Sequence, residues 1–187
     1  MSDPCSMPFP LRPARVHEAC GPGATGFAAV ACAQAQGDLI WIRESWQAET
    51  LHPVGLSAFF DPSRLLVAQA RNQIDALAVA EDALRDGSVA LVVAEFSRAL
   101  DLREGRRLQL AAQAGGSTGL CLIGEGMGSN AAETRWLCAP VFDPQDKAPS
   151  TRMRWEIIKN KSGTVGAWHV RWNAEAHRLD VVSPASQ

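Results

Sequence analysis

No apolar stretch in this 187-residue chain reaches the roughly 20 residues that a membrane-spanning helix needs. A membrane protein is therefore not expected. The first residues, Met1 to Pro13, lack a basic segment followed by an apolar one, so a secretory signal is not expected either. The five cysteines (Cys5, Cys20, Cys32, Cys121 and Cys138) contain no Cys-x-x-Cys pair, and an odd number closes no disulfide framework. Reduced thiols follow, with Cys32, Cys121 and Cys138 buried as small hydrophobes. His17, His52, His169 and His177 have no ligand spacing, so no metal site is expected. Repeats and low-complexity tracts are missing. A net charge of −2 does not advertise nucleic-acid binding.

What is present describes one folded domain. Apolar residues make up 47% and charged residues 20%, a globular composition. Pro4, Pro8, Pro10 and Pro13 make residues 1–13 read as a flexible arm, followed by a single domain over 14–183 and a tail over 184–187. An Ala-rich helix is expected over Phe27–Gln36, ended by Gly37. The run Leu39-Ile40-Trp41-Ile42 reads as a strand buried on both faces, and Leu65–Ala68 as a second one. A short helix is expected over 53–60. Asn72 is placed to cap a helix that turns Ile74, Leu77, Ala80 and Leu84 inward and ends at Gly87. Val89–Ala94 is the strongest strand signal, with Glu95 behind it. A helix over 103–114 points Leu108, Ala111 and Ala112 at a sheet and Arg106, Gln109 and Gln113 away. Leu120–Ile123 is another strand. This alternation predicts an α/β fold with a mostly parallel central sheet covered by helices. From about residue 133 the pattern changes. Thr134–Val141, Met153–Ile157, Trp168–Trp172 and Leu179–Val181 alternate apolar and polar residues, which predicts an antiparallel meander with one apolar face and one solvated, basic face.

The segment Gly21-Pro22-Gly23-Ala24-Thr25-Gly26-Phe27-Ala28 has the G-x-x-x-x-G spacing of a phosphate loop. Phe27 stands where the phosphate-binding Lys belongs, and Ala28 where the Mg²⁺-holding Ser/Thr belongs. Without both, phosphoryl transfer loses its positioning and charge stabilisation. No catalytic residue and no cofactor are therefore expected. Glu95, at a buried strand end, and Glu44, just past the preceding strand, sit where an ATPase carries its acids. They read as vestigial. The same spacing is also met by a plain Gly-rich bend between a strand and a helix.

Two basic clusters stand out. Arg103, Arg106 and Arg107 lie near a helix N-terminus, where the macrodipole disfavours cations. Lys159 and Lys161 flank Asn160 at a strand end, within residues 147–178, which hold seven Lys/Arg against two Glu. These five side chains are the candidate contacts for a partner or for DNA. A charged strand edge also serves simply to prevent edge-to-edge pairing. Trp155, Trp168 and Trp172 read as core of the meander, since base stacking needs exposed rings.

Taken in order, Gly21–Ala28, Leu91–Glu95, the Arg106–Ala114 helix, Gly119–Ile123, Glu133–Val141 and Ile157–Lys161 resemble the RecA-like ATPase core. More closely, the chain resembles the ImuA family. That resemblance rests on Val16–Glu18, Gly55-Leu56, Glu81–Arg85, Arg106–Ala112, Thr134–Trp136, Arg154-Trp155 and the Lys159–Trp172 hairpin, and extends from about residue 15 to 182. It implies a RecA-like fold without a working phosphate loop. It also implies a cytoplasmic, nucleoid-associated adaptor in SOS-induced translesion synthesis and mutagenesis. ImuB and RecA would be its partners, with an error-prone replicative-type polymerase engaged indirectly. By the same resemblance, the longer N-terminal region usual in that family is expected to be missing. Phe96–Glu104 and Gly124–Asn130 are short where RecA carries its DNA-binding loops, so direct DNA binding is expected to be weak. The alternatives are a SulA-like inhibitor of cell division and a weak residual ATPase using Glu44 and Glu95.

Overall fold

A computed structural model describes residues 7–142, 144, 148 and 150–184. Residues 1–6 of the expected arm, with Cys5, and residues 185–187 of the tail lie outside the described residues, as does Lys147. The elements in order are β1 (Val16–Cys20), α1 (Ala24–Gln34), β2 (Leu39–Glu44), α2 (Pro53–Leu56), a 3₁₀ turn (Pro62–Arg64), β3 (Leu65–Ala70), α3 (Gln73–Asp86), β4 (Leu91–Glu95), α4 (Leu102–Gly115), β5 (Thr118–Leu122), β6 (Thr134–Pro140), β7 (Arg152–Asn160), β8 (Gly166–Asn173) and β9 (Arg178–Pro184).

One nine-stranded sheet runs β3-β2-β4-β5-β1-β6-β7-β8-β9. It is parallel from β3 to β6 and antiparallel from β6 to β9. The α/β fold with an antiparallel extension is the expected one. Alternation along each strand sorts the core into two layers. Leu39, Trp41, Leu91, Val93, Leu120, Leu122 and Trp136 pack with α1, and Ile42, Val92, Ala94 and Cys121 with α3 and α4. The α1 layer continues over the meander through Trp155, Ile157, Trp168, Val170 and Trp172. The long β2–β3 connection crosses to it: Trp172 Nε1 donates to Ala58 O at 2.8 Å and its ring stacks on Phe59.

Helix boundaries follow local chemistry. Asn72 caps α3 by accepting from Asp75 N at 3.0 Å, and Gly87 ends it in the left-handed region. Asp101 and Glu104 form a reciprocal capping box on α4. Cys20, Cys32, Cys121 and Cys138 are buried free thiols, and burial pushes the Cys32 thiol up to about 12.

Several expectations need correction. β3 is not buried on both faces. It is an edge strand: β2 pairs with one side of it, no strand pairs with the other among the described residues, and Leu66 and Val67 are exposed. Ile74 is exposed too, as α3 turns Gln73, Ala76, Ala80 and Leu84 inward instead. Gln109 does not point away: its Oε1 accepts from Val16 N at 3.1 Å and ties α4 to β1. The helix expected from Phe27 begins at Ala24, so Gly26 lies within α1. Within residues 7–13, Met7, Phe9 and Leu11 are partly buried, while Pro8, Pro10, Arg12 and Pro13 are exposed. Phe9 meets Phe27, Trp136 and Trp155 at ring distances of 5.6, 6.4 and 5.3 Å, and Arg12 pairs with Glu133 at 3.2 Å.

Candidate functional site

The turn between β1 and α1 is short because the helix starts at Ala24. Gly21 has φ +87°, and a Cβ there would lie 2.6 Å from Cys138 O. Only glycine accommodates both the conformation and the approach. Gly23 sits at the N-cap of α1 and donates its N–H to Cys138 O at 2.8 Å. The turn is therefore closed onto the backbone of β6. Phe27 is fully buried, with Trp155 at 4.6 Å and Trp136 at 5.2 Å between ring centroids. Ala28 is buried beside it.

The two strand-end acids are already engaged. Glu95 accepts from Trp41 Nε1 at 2.6 Å through one oxygen and from Arg43 Nη2 at 3.1 Å through the other. Glu44 accepts from Ser97 Oγ and Trp46 Nε1, both at 2.6 Å. Burial alone would raise the Glu44 pKa, but these hydrogen bonds outweigh it and hold the carboxyl below its ordinary range. Glu95 lies with Trp41 in the α1 layer, whereas Glu44 follows Ile42 toward the α3 layer. The sheet separates them.

The basic residues divide. Arg107 pairs with Glu81, which also holds Arg85. Lys159 Nζ donates to the carbonyls of Ala132 and Asn130, and burial, then the neighbouring Lys161 charge, lowers its pKa. Lys161 Nζ donates to Ala131 O at 2.7 Å. These three thus have internal partners. Arg103 and Arg106 are exposed and meet no acid among the described residues. Glu104, the acid between them in sequence, is held by Arg98 and the capping box, with Arg98 as the main cause of its lowered pKa. Arg106 and Lys161 face one another across a groove of about 380 Å³ that Leu102, Gln109, Leu110, Asn130 and Ala131 complete.

Two buried groups in β1 were not anticipated as functional. Glu18 accepts from Arg135 Nε at 2.8 Å and from Ser129 N at 2.7 Å. His17 meets Thr134 Oγ1 at 2.7 Å through Nδ1 and Arg12 O at 3.0 Å through Nε2. Thr134 Oγ1 also accepts from Trp136 Nε1 at 2.9 Å. The Arg12 carbonyl can only accept, so Nε2 carries the proton, and in the neutral ring Nδ1 accepts from the Thr134 hydroxyl. Adjacent ionisable residues in a strand between Val16 and Ala19 are the signal that marks both, since alternation sends one to each face.

Burial is the largest influence on His17 and lowers its pKa below the ordinary 6.5, against the Arg12 carbonyl and the Glu133 charge, which raise it. The unfolded chain then binds the proton more readily. The stability of neutral His17 is complete above about pH 6.5 and is lost as pH falls through that value, levelling off below the folded pKa. Glu44, Glu81 and Glu133, all lowered from 4.5, contribute stability that is lost only at more acid pH. Melting temperature should therefore fall from about pH 7.5 to 5.5, and His17→Gln should flatten that slope. An unchanged slope would discard His17 as its source.

With this geometry in view, the chain can be set beside known proteins. No family model matches it. Protein ImuA of Caulobacter vibrioides strain NA1000 / CB15N is 31% identical over 156 residues, covering 75% of this chain and 63% of the relative. The chain belongs to the ImuA family. Protein ImuA of strain ATCC 19089 / CIP 103742 / CB 15 matches to the same extent. The chain thus spans a little under two thirds of the length of these ImuA relatives. Among the described residues, no helix is long and apolar enough to cross a membrane, and no cluster of His, Cys, Asp or Glu is arranged to hold a metal.

Proposed function

We propose that this ImuA-family chain is a non-catalytic adaptor of a DNA-damage-induced mutagenesis cassette, binding ImuB, RecA or both through its surface. In this reading Gly21, Gly23, Gly26, Phe27 and Ala28 are the relic of a nucleotide loop, and Glu95 and Glu44 are vestigial acids. The observation that carries it is Phe27, buried among Phe9, Trp136 and Trp155 at the position of the phosphate-binding lysine. Supporting it, both Glu95 oxygens are engaged by protein donors, and a carboxylate so occupied has little left to offer a metal ion.

Titration calorimetry with ATP and Mg²⁺ tests the inert half of the proposal. No binding is expected at micromolar nucleotide, and Mg²⁺-dependent micromolar binding would overturn it. Pull-down of purified ImuB and purified RecA by the full chain tests the adaptor half. Capture of at least one is expected, and capture of neither would overturn it.

A further inference from the structure

The groove between α4 and the 129–131 segment has walls of two kinds. Leu102, Arg106 and Leu110 repeat at four-residue intervals and share one stripe of α4. Both leucines are exposed, by 55% and 63%. Arg103, three residues before Arg106 on the same helix, is an exposed cation beside the cleft and not part of its lining. Lys161 supplies a third from the end of β7, and no acidic side chain lines the cleft. Helix N-termini favour anions over cations, so Arg103, in the first turn of α4, is placed against the local field and gains from an incoming negative charge.

The cleft is also preformed. Gly105 lets α4 approach the 129–131 segment: a Cβ there would lie 2.3 Å from Ser129 Oγ and 3.0 Å from the Ala131 Cβ. Ser129 is pinned by Glu18 through its N–H and by Arg135 through its carbonyl. Lys161 is fixed by its ammonium on Ala131 O and its N–H on Glu133 O, and two ammonium hydrogens remain to donate. A rigid site loses less entropy on binding.

We propose that this groove docks an acidic, amphipathic segment of a protein partner, with carboxylates on Arg103, Arg106 and Lys161 and leucine-like side chains against Leu102 and Leu110. The inference rests on the adaptor reading and names the surface that would serve it. A protein segment fits better than a nucleic-acid backbone. Phosphates would meet the cations but leave both leucines uncovered, and three cations on a chain of net charge −2 make a poor polyanion track.

The test uses the full chain and three fluorescent probes. One is a helix-forming peptide of about 16 residues with leucines on one stripe and glutamates beside it. The second has lysine for every glutamate, and the third is oligo-dT of about 20 nucleotides. The acidic peptide should bind at least about tenfold tighter than either control. Arg106→Glu and Leu110→Ser should each weaken it by about tenfold or more while melting temperatures stay with the parent. Variants that bind as the parent does, or oligo-dT bound tighter than the peptide and lost in Arg106→Glu, would overturn the proposal. The same variants are then used to pull down ImuB and RecA. Partner capture that both variants retain in full removes the groove but keeps the adaptor reading. Peptide binding lost in both variants, with neither partner captured by the parent, keeps the groove and removes that reading.

Discussion

Phe27→Ala should lower the melting temperature by roughly 6–20 °C, followed by tryptophan fluorescence. Truncating a buried Phe costs about 3–5 kcal/mol, and each kcal/mol moves a domain of this size by about 2–4 °C. The ring is fully buried and touches Trp136, Trp155 and Phe9, so the cavity it leaves lies between three other rings that α1, β6, β7 and the arm hold in place. Phe27→Leu should retain most of the stability. Phe27→Lys combined with Ala28→Ser rewrites the phosphate-loop signature, yet it should yield an unfolded chain and no nucleotide binder. An ammonium at this depth has lost its water, and the surrounding ring faces return only on the order of 2 kcal/mol against that cost. A Phe27→Ala protein melting within about 2 °C of the parent would show that the aromatic cluster carries little of the fold.

Arg135→Ala should cost about 3 kcal/mol, the lower end of the range for breaking a buried pair. Glu18 is 1% exposed by side chain and Arg135 18%, so the carboxyl group would lose its cation in the core. Glu18→Gln should cost less, because an amide still accepts from Ser129 N. Adding Glu18→Gln to Arg135→Ala should recover part of the loss, a coupling of at least about 1 kcal/mol in a double-mutant cycle. Arg135 also holds Ser129 O at 2.9 Å, so Arg135→Ala should speed Glu-specific proteolysis after Glu125 in the loop that leads to Ser129. Additive energies with an unaltered cleavage rate would refute the clamp.

Much of the fold was legible because it is written locally. β4 is a continuous apolar run, α3 is capped by Asn72 and ended by Gly87, and β8 alternates through Trp168, Val170 and Trp172. β3 reads like β4 but is an edge strand, and no local pattern tells a strand what lies beside it. The arm is similar: its prolines suggest freedom, while its one phenylalanine reaches a pocket built by residues far along the chain. At the candidate site, the loss of the catalytic residue types at 27 and 28 could be read directly. The engagement of Lys159 and Lys161 by carbonyls 27 to 30 residues away could not. Charge clustering marks a cation without saying whether backbone oxygens already satisfy it. Of the five candidate cations, Arg103 and Arg106 are the ones that meet no acid or carbonyl among the described residues, and Lys161 lines the cleft opposite Arg106.

The place of β1 in the sheet bears on how the chain is made. It comes first in sequence among the described strands, yet it lies inside the sheet between β5 and β6. Val16 pairs with Gly119 and Glu18 with Arg135, so both of its ladders close over about a hundred residues. β6 to β9, by contrast, join strands adjacent in sequence, and such local pairing forms faster. On the ribosome, β1 and its buried His17 and Glu18 have no strand to pair with until β5 and β6 emerge. The middle of the sheet is therefore completed late, and the β1 segment stays open to solvent and to chaperones until β5 and β6 have been made.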